Sequence, residues 1–195
     1  SSAWVKLKPI AKLPEVAATP ATVPGGQDAA AWDAIRLTLP HPVEEARYDS
    51  ASRMVCAIYR EKPKAKATTL GYDLSGRRTA WALSGNLGFD QVRHGRMLAS
   101  AGHTPVSLDL RNGSFVTLPG GLRFVEPDGV PLLFEEISVH RYDLATGKSV
   151  WNRPLARWKY DLDWDRRCDA LFVVAGGLHQ LELGSGGGWS YASST

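Results

Sequence analysis

The sequence predicts an all-β fold, an array of about four small units with four short antiparallel strands each. Two observations carry this. An acidic residue followed by a turn recurs at Asp73, Asp109, Asp143 and Glu182, spaced by 36, 34 and 39 residues. An apolar run of strand length precedes each of them: Met54 to Tyr59, Met97 to Ala101, Val130 to Phe134 and Leu171 to Ala175. A period near 40 with turn signals inside it marks stacked strand units.

The clearest copy is Tyr142-Asp143-Leu144-Ala145-Thr146-Gly147-Lys148-Ser149-Val150-Trp151, which reads as strand, tight turn, strand. Its counterparts run from Asp73 through Gly76 to Trp81, from Asp109 through Gly113 to Phe115 and Val116, and from Glu182 through Gly186 to Trp189. Ahead of the apolar runs stand Tyr48-Asp49, Phe89-Asp90 and Trp164-Asp165; the third unit has Phe124 and a Pro127-Asp128-Gly129 turn instead. One unit is therefore an inner strand, an apolar central strand, a strand ending in the acidic residue, and an outer strand often carrying Trp. Four such strands make the blade of a β-propeller. The units span about 46–84, 87–119 and 122–153, and the last begins near Trp158.

Alternation along the third strands supports the register. The residues flanking each acidic position are Tyr72 and Leu74, Leu108 and Leu110, Tyr142 and Leu144, Leu181 and Leu183. They share one face, with Leu70, Val106, His140 and His179 two positions further back. The two histidines read as partly buried groups hydrogen-bonded between blades rather than as metal ligands, because spacing places no third ligand beside them.

The N-terminal part differs in kind. Residues 1–30 read as an extension with an Ala/Pro/Gly-rich linker, and 31–195 as the repeat domain. Trp4 to Lys8 alternates like a short strand, Ala17 to Gly26 suits an extended linker, and Gln27 to Trp32 suits a helical turn. Ile35-Arg36-Leu37-Thr38-Leu39 reads as an outer strand ahead of the first unit. It completes the last blade beside His179 to Leu183, unless Trp189 to Ala192 already forms that outer strand. The second possibility leads us to expect a partial ring completed by a partner or second copy.

Composition fits a folded chain. The sequence has 195 residues, 44% hydrophobic, with 19 Gly and 12 Pro, enough for a core and many turns. A formal net charge of +3 is too mild to argue for nucleic acid. No apolar run reaches the roughly 18–20 residues of a membrane span. A chain starting Ser1-Ser2 suits a trimmed or processed form. Cys56 lies in an apolar strand and reads as a buried small hydrophobe; Cys168 lies in a polar stretch. The expectation is against a disulfide between them.

Catalytic signatures are missing. Thr146-Gly147-Lys148-Ser149 resembles the end of a phosphate-binding loop, but Tyr142 stands where its leading glycine belongs. There is no Gly-x-Ser-x-Gly elbow and no Cys-x-x-Cys pair. Glu44-Glu45 and Glu135-Glu136 read as solvated turn charges.

The stretch from Arg141 to Trp151 resembles the tryptophan-docking repeat of quinoprotein-like (PQQ-like) propellers. The resemblance implies that Asp143, Thr146 and Gly147 shape the turn and that Trp151 docks between blades. The first unit keeps Asp73, Gly76 and Trp81, while the second lacks the Trp. WD40 repeats are similar by period alone. The likeness is tight over about ten residues and loose over 40–195. It implies a fold without implying a bound quinone, and it favours a secreted or periplasmic setting that the residues themselves leave open.

Two function classes remain. The favoured one is a non-catalytic protein-interaction module, not an enzyme and without a cofactor. The alternative is a ligand-binding protein or quinoprotein-like enzyme component using the central channel, with His103, Glu135, Glu136 and Arg157 as its polar candidates. For the first class the binding candidates are Lys62, Lys64, Lys66, His103, Glu135, Glu136, Arg157 and Trp158. They lie on loops joining second to third strands or one unit to the next, where binding residues concentrate. The expected partner is another protein or a second copy, with no nucleic acid and no membrane span.

Overall fold

A computed structural model describes residues 6–20, 35–125, 129–135, 138–155, 163–167, 170–174 and 177–192. The strands are β1 (Lys8–Pro9), β2 (Ala17–Pro20), β3 (Ile35–Thr38), β4 (Val43–Asp49), β5 (Met54–Tyr59), β6 (Thr68–Asp73) and β7 (Arg78–Ser84). They continue as β8 (Leu87–Arg93), β9 (Arg96–Ala101), β10 (Thr104–Asp109), β11 (Phe115–Thr117), β12 (Arg123–Val125) and β13 (Val130–Glu135). The last are β14 (Ser138–Asp143), β15 (Lys148–Pro154), β16 (Asp163–Arg167), β17 (Ala170–Val174), β18 (Gly177–Glu182) and β19 (Ser190–Ala192).

These strands form four sheets in chain order, β4–β7, β8–β11, β12–β15 and β16–β19, as a propeller-type array requires. β1 extends the first sheet alongside β7, and β2 pairs with β3 in a separate ribbon. Each predicted apolar run is the second strand of its sheet, and in the first two sheets it is buried on both faces. The chain divides into two compact units, Ser1–His103 with Leu108–Ser114, and Thr104–Ser107 with Phe115–Thr195.

In the first unit the ribbon covers the first sheet. Leu37, Leu39, Ala18 and Val16 pack on the buried face made by Ala57, Tyr59, Leu70, Tyr72 and Ala82. Ile10 N–H donates to Ala82 C=O at 2.9 Å, and Thr79 Oγ1 donates to Pro14 C=O at 2.8 Å. Ile35 to Leu39 therefore does not complete the last blade. Its strand pairs with β2, and the partner of β18 is β19. The physical reason is burial: the alternating apolar side chains Leu37 and Leu39 cover the aliphatic and aromatic face of β5–β7. The strands β1 and β2 both lie within the stretch read as an extension.

The recurring acidic residue makes the turn between third and fourth strands. Asp73 Oδ1, Asp109 Oδ1 and Asp143 Oδ1 accept the N–H two residues on, from Ser75, Arg111 and Ala145, at 2.7 to 2.9 Å. A carboxylate folding back on its own backbone in this way is the standard turn device of Asp. Four residues after the acid the chain enters the left-handed region, at Arg77 (φ 51°), Gly113 (74°), Gly147 (70°) and Gly186 (73°). In the first turn the left-handed residue is Arg77, one position after the Gly76 that sequence alignment suggests.

Three of these positions carry glycine because a neighbour fills the space of a Cβ. A Cβ on Gly113 would lie 2.7 Å from the Trp81 ring, and one on Gly186 would lie 2.6 Å from the Trp151 ring. On Gly147 it would lie 2.8 Å from Thr117 C=O. Each indole also donates a hydrogen bond to the carbonyl one residue after the acid. Trp81 Nε1 reaches Leu110 C=O at 2.7 Å, and Trp151 Nε1 reaches Leu183 C=O at 3.0 Å. The indoles thus rest on the turn of a following sheet. Trp81 is buried at 5% exposure; Trp151 is half-buried, less than the docking resemblance implies.

A β-bulge sets this geometry. The pairing shifts between Gly71 and Tyr72 and again between Arg141 and Tyr142, so that Gly71 faces Trp81 and Arg141 faces Trp151. In the second unit Leu132, Val139, Leu155, Leu171, Leu181 and Leu183 form the core, with Trp151 packed against it.

Three outcomes follow. Trp81→Ala should cost about 3–5 kcal/mol in chemical denaturation, and Trp151→Ala less, about 1–3 kcal/mol; equal losses would contradict the difference in burial. Tyr72 Oη is buried and has no hydrogen-bond partner among the described residues. Tyr72→Phe should therefore leave stability unchanged or raise it by up to about 1 kcal/mol, read from the same denaturation curves. Burial, with the Asp49 carboxylate adding to it, pushes the Cys56 thiol up to about 12. The native state keeps this thiol neutral while an unfolded thiol ionises near 9. Its contribution is thus intact below pH 9 and is lost as pH rises towards 12. Iodoacetamide at pH 8 should leave Cys56 unmodified until denaturant is added, as mass spectrometry would show.

Candidate functional site

The connection between β5 and β6 carries Lys62, Lys64 and Lys66, all exposed. It is a defined turn, because Ala65 N–H donates to Lys62 C=O at 3.0 Å. Lys64 sits at φ 69°, a left-handed conformation unusual for a residue with a side chain. Lys64 and Lys66 rim an open concavity of about 290 Å³. Lys6, Gly85, Asn86 and Gly102 also line it. Three lysines thus line one concave patch, with the amide side chain of Asn86, able to donate and to accept hydrogen bonds, beside them. Lys62 stays on the same loop outside the wall, and His103 follows Gly102 on the exposed turn between β9 and β10.

Sequence reasoning identified two of the three lysines at this patch and missed Lys6 and Asn86. Lys6 arrives through the pairing of β1 with β7, where Lys8 lies opposite Ser84. That pairing has no local signal in a short alternating stretch. Asn86 follows Gly85, whose φ of 140° turns the chain between β7 and β8; its missing Cβ leaves room for Lys6 C=O, which would lie at 2.8 Å.

Glu135 lies on the matching β13–β14 connection of the second unit. It is engaged within its own sheet, by His140 Nε2 at 3.1 Å and by Ser138 Oγ at 3.2 Å. Glu136, Arg157 and Trp158 fall outside the described residues, as do Cys168 and the helical turn expected over 27–32. Cys56 is a free, buried thiol.

Of the two histidines, His140 makes its hydrogen bonds within its own sheet rather than between blades. His140 is bound by Glu135 and Ser138 beside it, and His179 Nδ1 lies 2.9 Å from Ser190 Oγ across β18 and β19. Among the described residues no group of three or more His, Cys, Asp or Glu could hold a metal ion. None of the described residues forms a helix long and apolar enough to cross a membrane.

One further polar cluster belongs to the scaffold. Asp49 is buried, and its Oδ2 accepts from Ser52 N–H at 3.0 Å, Ser52 Oγ at 2.5 Å and Gly95 N–H at 2.9 Å. The carboxylate ties the first-to-second strand turns of two sheets together.

No family model matches the sequence, and no curated protein does. Among solved structures the chain is similar to BamB from Moraxella catarrhalis, at 14% identity and a TM-score of 0.43. The match covers 84% of this chain and 57% of that one, so the chain spans little more than half the length of the structure it resembles.

Proposed function

We propose that the chain is a non-catalytic protein-interaction module that binds an acidic partner through the lysine-rimmed concavity. The observation that carries this reading is the convergence of Lys6, Lys64 and Lys66 on one patch, from two segments far apart in sequence. Loops fixed on a rigid sheet can hold such charges in place at little entropic cost on binding. Like charges gathered on a concave surface raise the local potential and steer acidic groups towards it. The residues that bind are the lysines, with Asn86 and the neighbouring His103 at the edge.

The module corresponds to the repeat domain read as 31–195, with β1 and β2 from the first thirty residues laid against it. The same reading carries a secreted or periplasmic setting, through the repeat resemblance.

A fluorescent polyglutamate peptide provides the test. Binding should weaken as salt rises, because partly exposed charges are screened over about 10 Å at 0.1 M. The triple variant Lys62→Glu, Lys64→Glu and Lys66→Glu should reduce affinity by about tenfold or more. Lys6→Gln alone should also reduce it. Unchanged affinity in the triple variant would remove the concavity from the proposal.

A further inference from the structure

Two turns of the first sheet carry arginine where the chain elsewhere uses glycine. The residue just before the second strand is left-handed in three sheets, as Arg53 (φ 56°), Gly95 (77°) and Gly129 (66°). The residue four after the acid is left-handed in all four, as Arg77 against Gly113, Gly147 and Gly186. A side chain in this region crowds its own backbone, which glycine avoids. The first sheet thus holds steric strain at two turns, and each time the residue is an arginine. Such strain is characteristic of positions whose side chains are used.

The two arginines share one concavity. Met54 pairs with Asp73, so Arg53 and Leu74 are the adjoining residues of the two strands, and Leu74 N–H donates to Arg53 C=O at 3.1 Å. Arg53 and Arg77 line a concavity of about 410 Å³ at the end of the first sheet and its ribbon. Thr19 and Ser75 line it as well, and so do the apolar Ala18, Ile35 and Leu74. Neither arginine has an ion-pair partner among the described residues. The carboxylate of the same turn, Asp73, is turned to its own backbone, where Oδ1 accepts Ser75 N–H at 2.8 Å.

This concavity is separate from the lysine patch. The lysine loop joins β5 to β6, while Arg53 precedes β5 and Arg77 follows β6. The length of β6, about 20 Å at the rise of a strand, lies between them.

We infer that the concavity binds a small phosphate monoester with an apolar body. Two guanidiniums present about ten N–H donors, while a carboxylate has lone pairs for about four. A phosphate monoester has three terminal oxygens and carries about −1.5 to −2 charges at pH 7, which balances two arginines where a carboxylate would leave one uncompensated. The fork of each guanidinium matches a pair of phosphate oxygens. Ala18, Ile35 and Leu74 offer the apolar surface for the body of the molecule, and the volume lies in the range of small-ligand sites.

The test is calorimetric titration of the full chain with phenyl phosphate at pH 7.5. Saturable binding is expected with a Kd of about 1 mM or tighter, and benzoate should bind about tenfold more weakly. Arg53→Gly and Arg77→Gly remove the guanidinium and relieve the backbone together. Each should weaken binding by about tenfold or more while the melting temperature stays unchanged or rises. Arg53→Gln and Arg77→Gln, which keep a side chain at the turn, should weaken binding equally. No saturable binding up to about 10 mM, equal affinity for benzoate, or binding indifferent to the arginine variants would overturn the inference. A fall in melting temperature in both glycine variants would overturn it too, since the arginines would then serve the scaffold. A phosphotyrosine peptide that binds more than about tenfold tighter than phenyl phosphate would replace the small molecule with a protein ligand. The triple lysine variant should leave phenyl phosphate binding intact, so failure here and failure of the lysine site are read separately.

Discussion

The contact between an indole ring and a left-handed glycine is the constraint on which the repeat depends. It combines a hydrogen bond with close apolar contact, and it requires the backbone of the receiving turn to carry no side chain. Gly113 and Gly186 meet that requirement under Trp81 and Trp151. The carboxylates of Asp109 and Asp143 fold their turns locally, before any tertiary contact is needed. Local turn chemistry and docking between sheets thus favour the same backbone, and that agreement is what lets an irregular repeat define one structure.

The strands were legible because period, apolar runs and turn residues all agreed. Every second strand coincides with an apolar run, and the acidic residues fall at the ends of third strands as the alternation suggests. Two of the places where reading failed share a cause. Gly76 is next to the left-handed position rather than in it, and Ile35 to Leu39 pairs with β2 rather than with the last sheet. In both cases the deciding factor is a neighbour in space. Among the described residues no indole seats on the first turn, where Arg77 takes the left-handed position, and the ribbon is placed by an apolar face that only the folded sheet creates. The lysine patch was half legible for the same reason: Lys64 and Lys66 share a loop, while Lys6 joins them through a two-residue strand.

The first sheet is finished differently from those that follow. The faces of most sheets in such a repeat are covered by another sheet, but here a two-stranded ribbon from earlier in the chain does the covering. Leu37 and Leu39 supply the apolar cover, and a ribbon does not need the glycine seat. Asp49 gives a second tie within the same unit, since its carboxylate accepts Gly95 N–H from the turn of the adjacent sheet. The lysine patch is therefore mounted on a well-braced part of the chain.

The bulges opposite Gly71 and Arg141 have a consequence for how such a sequence can change. A strand has only two sides, so its side chains behave like a binary code whose phase is set by the residue count from the turn. One residue deleted between Arg78 and Trp81 with the bulge retained would turn the indole from one side of the sheet to the other. In the fourth sheet Trp189, opposite Gln180, reaches the same phase with one residue fewer and no bulge. Length and pairing have thus changed together there, as two compensating frameshifts do in a gene, while substitutions at the intervening surface positions leave the phase untouched.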